Sequence, residues 1–143
     1  MAYFDPTRPS QREESLPRSV RVLVVDDSAY IRFTLGRYLG AVPGIEVVGA
    51  AHDGLEALEL IARLQPDVVT LDIQMPKMDG LSTLREIMAR HPLPVIMLSS
   101  LTTEGAAETV QALTWGAVDF VAKPSARANV AAIADEVVSK VLT

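Results

Sequence analysis

Five short aliphatic and β-branched runs punctuate the chain, and a stretch with helical spacing follows each of them. The runs are Val22-Leu23-Val24-Val25, Ile45 to Ala51, Val68 to Leu71, Pro94 to Leu98 and Val118 to Ala122. Runs of this length and composition, bounded by turn residues, read as buried strands. Apolar side chains then recur on one helical face at Ile31, Leu35, Tyr38 and Leu39, at Ala57, Leu58, Ile61 and Leu64, and at Leu84, Ile87 and Met88. The same spacing predicts a fourth helix from about Thr103 to Trp115, with Ala106, Val110 and Leu113 inward, and a fifth along Val130, Ile133, Ala134, Val137, Val138 and Val141. Pro43-Gly44, Pro66, His91-Pro92 and Gly116 break the segments. Strand and helix in strict alternation, with short connections, dictate an α/β fold: a parallel sheet covered on both faces. The expected topology is a flavodoxin-like (βα)5 doubly wound sheet with strand order 2-1-3-4-5.

At 143 residues the chain suits one domain with one core region. Residues 1–19 carry Pro6, Pro9 and Pro17 among unpatterned charges, which predicts a flexible N-terminal extension before a domain spanning 20–143. A net charge of -5 without a Lys/Arg run argues against a nucleic-acid surface. The absence of cysteine excludes disulfides and thiolate metal sites. No apolar run approaches the roughly 18 residues of a membrane span, and the polar start does not resemble a signal peptide. A cytoplasmic protein is expected.

In a parallel sheet the carboxyl ends of the strands share one edge, where ligands gather. The first, third, fourth and fifth strands deliver Asp26-Asp27, Asp72, Ser99 and Lys123 to that edge. Singly, each has an ordinary explanation: a helix cap, a turn residue, a surface lysine. Together they make an acidic pocket with one ammonium and one hydroxyl. Hard oxygen ligands that leave room for water and phosphate oxygens suit Mg2+. Asp72 is then placed to act as a nucleophile that accepts a phosphoryl group, with Lys123 and Ser99 neutralising its oxygens. His52 and His91 have no second ligand at metal spacing.

With these residues in place, the stretch from Arg21 to about Leu142 resembles a response-regulator receiver domain. The resemblance rests on Asp26-Asp27, on Asp72-Ile73-Gln74-Met75-Pro76-Lys77-Met78-Asp79-Gly80, on Ser99 and on Lys123-Pro124. It implies that a histidine kinase phosphorylates Asp72. It also implies that Asp27, Asp72 and the backbone carbonyl of Gln74 hold Mg2+, with Asp26 acting through water. Ser99 and Phe120 would be the paired switch residues, coupling Asp72 to a face built from the fourth helix, fifth strand and fifth helix. A cis Lys123–Pro124 bond is a further implication.

A narrower resemblance is to the regulatory domain of the chemotaxis protein-glutamate methylesterases, carried by Pro94 to Thr102 and by Ala112 to Pro124. It implies regulation of a C-terminal methylesterase domain absent from this chain. The domain itself is expected to be a phosphoacceptor rather than an enzyme in its own right. One alternative is a free-standing single-domain regulator that acts by protein–protein binding. Another is a haloacid-dehalogenase-type phosphatase, although its D-x-D-x-T motif is missing here.

Overall fold

Strand and helix alternate through β1 (Val20–Val25), α1 (Ala29–Gly40), β2 (Ile45–Ala51), α2 (Gly54–Leu64) and β3 (Val68–Asp72). The alternation continues through α3 (Gly80–Arg90), β4 (Val95–Ser100), α4 (Thr103–Thr114), β5 (Asp119–Lys123) and α5 (Val130–Val141). This is a computed structural model, and it describes residues 19–75, 78–100, 103–123 and 130–142. Residues 1–18 of the expected extension, and Pro124 with its candidate cis bond, lie outside the described residues.

The strands form one sheet in the order β2-β1-β3-β4-β5, and every pairing is parallel. Alternation along each strand divides the core in two. Leu23, Val25, Val69, Leu71, Val95 and Met97 face α2 and α3, packing against Ala57, Ile61, Leu84 and Ile87. Val22, Val24, Val68, Ile96 and Leu98 face α1 and α5, packing against Leu35, Leu39, Ile133 and Val137. The central strands are apolar without alternation because both of their faces are covered.

Three helix starts are fixed by side chains at the sheet's carboxyl edge. Ser28 accepts the Ile31 N–H at 3.3 Å, Asp53 the Glu56 N–H at 2.8 Å, and Asp79 the Ser82 N–H at 2.8 Å. Each satisfies a donor that the first helical turn leaves open. His52 is part of the second cap: its Nδ1 lies 2.9 Å from Glu56 Oε1 and its Nε2 3.2 Å from Asp53 Oδ2. His91 ends α3 through its backbone N–H, which donates to the Ile87 carbonyl at 2.8 Å.

Some sequence expectations are corrected. Tyr38 points outward, 47% exposed, because Leu35 and Leu39 already fill the groove between α1 and the sheet. On α4 the inward face is Thr109 and Ala112, whereas Ala106, Val110 and Leu113 are exposed. Period alone cannot separate two parallel stripes on one helix; here the smaller one packs on the sheet. The fifth strand begins one residue later than expected, at Asp119, leaving Val118 60% exposed.

Candidate functional site

The order β2-β1-β3 means that the chain leaves β1 toward one sheet edge and returns on β1's other side at β3. The helices that follow β1 and β3 consequently diverge, opening a crevice at this switch point. Asp26, immediately after β1, and Asp72, the last residue of β3, both border it.

Asp26 is fully buried and held on every side. Its N–H donates to the Ala51 carbonyl at 3.1 Å. One carboxylate oxygen accepts the Ser28 N–H at 2.9 Å, and the other accepts Lys123 Nζ at 2.8 Å. Lys123 Nζ also lies 3.2 Å from Asp72 Oδ1, which accepts the Gln74 N–H at 3.3 Å. Asp27, the exposed member of the pair, completes a group in which Asp26, Asp27 and Asp72 each offer an oxygen within 4.8 Å of the others.

Two carboxylates share one ammonium, and the charge balance follows from that. Burial, and next the charge of Asp26, push the Asp72 carboxyl up to about 7, with Lys123 only partly offsetting them. For Lys123 burial acts downward, but the carboxylates of Asp72 and Asp26 outweigh it and hold the ammonium above its ordinary value. The cation is over-provided and the second anion under-compensated. Such a pocket draws in further positive charge. An all-oxygen donor set with one exposed member fits Mg2+, which takes few protein carboxylates and keeps part of its water shell.

The loop after β3 is pinned to the backbone of Asp72. Ile73 N–H donates to the Leu98 carbonyl at 3.1 Å, and Gly80 N–H to the Ile73 carbonyl at 2.7 Å. A Cβ on Gly80 would overlap the Asp72 carbonyl oxygen and Ile73 Cα. Glycine is therefore a steric requirement at this approach.

Ser99 and Phe120 lie farther along the edge. Ser99 is buried at the end of β4, and the Thr109 hydroxyl of α4 donates to its Oγ at 2.6 Å. Sequence reasoning missed Thr109, whose place beside Ser99 depends on which stripe of α4 turns inward. Phe120 is 38% exposed. Lys140 lies 5.4 Å from its ring centroid and donates to its carbonyl oxygen at 2.5 Å.

A model of the response regulator receiver domain matches residues 22–135. The chain belongs to the response regulator receiver domain family. Among its relatives, a protein-glutamate methylesterase/protein-glutamine glutaminase of Symbiobacterium thermophilum is 57% identical over 130 residues, 90% of this chain and 36% of that protein. One of the same description from Geobacillus kaustophilus is 54% identical over 127 residues, 87% of this chain and 36% of the relative. The chain thus spans about a third of the length of these relatives. Among solved structures, the response regulator domain of Thermotoga maritima CheB superposes with a TM-score of 0.81 at 48% identity, covering 87% of this chain and 95% of that one. Both the receiver fold and its likeness to CheB regulatory domains are borne out, and family membership decides against the phosphatase alternative.

Proposed function

We propose that this chain is the phosphorylation switch of a chemotaxis-type methylesterase, with Asp72 as its phosphoacceptor. The observation that carries the reading is Lys123 Nζ set between Asp26 and Asp72, at 2.8 and 3.2 Å, beside the oxygens of Asp27. Phosphoryl transfer needs little covalent chemistry from a protein; positioning and charge stabilisation do most of it. An oxygen of Asp72 attacks phosphorus, and the N–P bond to the imidazole of a histidine kinase breaks. Lys123 holds the carboxylate in place and faces the arriving phosphoryl oxygens. Asp26 fixes Lys123 through a bond that no solvent reaches from its own side. Asp27, Asp72 and the Gln74 carbonyl would hold Mg2+, with Asp26 acting through water. The bound ion would supply the positive charge that the three carboxylates and the phosphoryl oxygens lack.

The output reading rests on exposed apolar side chains. Val110 and Leu113 on α4 and Phe120 on β5 are 65%, 40% and 38% exposed. Large apolar groups left in solvent on consecutive elements are what a contact surface requires. A phosphoryl group on Asp72 engages Ser99, Phe120 turns inward, and this face changes its fit to a methylesterase domain. The effect is a bias between two arrangements, set by the phosphoryl group's different contacts in each. Among the described residues no helix is long and apolar enough to cross a membrane; we place the protein in the cytoplasm, with its kinase.

Acetyl phosphate with Mg2+, followed by mass measurement, tests the acceptor. Wild type should gain one phosphoryl mass and Asp72→Asn none, with its circular dichroism unchanged. An equal gain in the variant, mapped to another residue, would falsify the assignment.

A further inference from the structure

We propose that Thr109 is a positioning residue of the switch: its hydroxyl holds Ser99 against α4 in the resting protein and gives it up when Asp72 carries a phosphoryl group. The inference rests on the reading of Ser99 as the hydroxyl that answers the phosphoryl group. Leu98 pairs with Asp72 across the sheet, and Ser99 is the next residue. Leu98 packs on the α1/α5 side, so alternation turns Ser99 to the opposite side, beneath α4. Asp72 follows Leu71, which packs on the α2/α3 side, so the same rule turns Asp72 toward α1 and α5. The serine oxygen is thus pinned on the face away from the acceptor's side chain.

The pin is strong for a neutral contact. Thr109 Oγ1 and Ser99 Oγ are 2.6 Å apart, and the two residues are 6% and 3% exposed. A hydroxyl pair shielded from water gains more than one in solvent. A serine oxygen occupies one of three staggered positions. The position that meets Thr109 is given up when Oγ swings toward a phosphoryl group at the sheet edge. The bond therefore belongs to the resting arrangement and opposes the switch. It also places the opposing force on α4, the helix that carries Val110 and Leu113 on its outer side. Thr109 and Ala112 are the buried residues of this α4 face, and the Thr109 hydroxyl serves Ser99.

The test is a titration with beryllofluoride and Mg2+ of wild type, Thr109→Val, Thr109→Ser and Ser99→Ala, each checked for folding by circular dichroism. Thr109→Val keeps the shape and removes the hydroxyl; it should bind beryllofluoride about fivefold more tightly, the worth of one neutral hydrogen bond. Without metal or beryllofluoride, its Phe120 ring resonances should already lie part-way toward their bound positions. Thr109→Ser should match wild type. Unchanged or weaker affinity in Thr109→Val, with Ser99→Ala impaired, overturns the inference and leaves Ser99 in its role. Wild-type affinity in Ser99→Ala removes Ser99 from the switch, and the inference falls with it. A measurement needing no variant is the side-chain coupling of Ser99 in the resting wild type: one fixed rotamer supports the pin, and averaging among rotamers overturns it.

Discussion

Lys123 faces Asp26 and Asp72 with a single positive charge, and the sharing has a measurable consequence. In the absence of divalent cations the folded protein holds the Asp72 proton up to about pH 7, whereas an unfolded chain releases it near the ordinary value of 3.8. The protonated acid is what the fold favours. Its contribution is full below the unfolded value and is lost as pH rises through that window. Stability in EDTA should therefore fall between about pH 4 and pH 8. Asp72→Asn, which cannot ionise, should lose the slope and exceed wild type at pH 8 by about 1–3 kcal/mol. Urea denaturation of both proteins at pH 4.5 and pH 8 checks this, and a wild type that gains stability across the window would contradict the charge balance described above.

The β3–α3 connection shows how an element serves the site. Asp79 caps α3, and Gly80 lies against the backbone of Asp72 and Ile73. Alanine at a first helical position ordinarily gains up to about 1 kcal/mol over glycine. Here the added Cβ meets backbone, which cannot swing aside as a side chain can, so overpacking decides the sign. Gly80→Ala should lose at least about 2 kcal/mol of stability in urea and also slow phosphorylation of Asp72 by acetyl phosphate. A variant at least as stable as wild type would show that the loop moves freely. On α4 the interplay is different. Two stripes compete, and the larger apolar one faces solvent while Thr109 and Ala112 face the sheet. An apolar stripe left in solvent is the feature on which the proposed output face rests.

Over the whole molecule, folding and ligand binding are linked through the acidic crevice. The fold brings Asp26 and Asp27 next to Asp72; an unfolded chain does not. A ligand that binds only the folded form, at about a hundred times its Kd, adds about 2.7 kcal/mol. For a domain of this size that corresponds to a rise in Tm on the order of 10 °C. Saturating Mg2+ at pH 7.5 should produce such a rise in wild type, while Asp27→Ala should lose most of it. A full rise in the variant, read by calorimetry, would remove Asp27 from the metal set.

Much of this was legible in the residues. Strand and helix alternation specified the parallel sheet, because buried strands and amphipathic helices leave distinct periods. The strand order followed from the restricted set of ways such units connect. Asp26, Asp27, Asp72 and Lys123 were legible as a group because they lie at strand ends, and strand ends of a parallel sheet share one edge; Ser99 is at the same edge but turns to Thr109. Distances were not legible: nothing in the order of residues states that Lys123 reaches both Asp26 and Asp72, or that this sharing leaves Asp72 under-compensated. Neither was the side that a helix presents. Tyr38, Val110 and Leu113 match the apolar period as well as the residues that are buried, and only packing against the sheet separates them. Thr109 escaped for the same reason. A threonine in a helix has no distinguishing period, and its meaning arises only when the fold sets it 2.6 Å from Ser99. Local pattern is a property of neighbours along the chain, whereas the contacts that bias a switch join elements which the chain keeps apart.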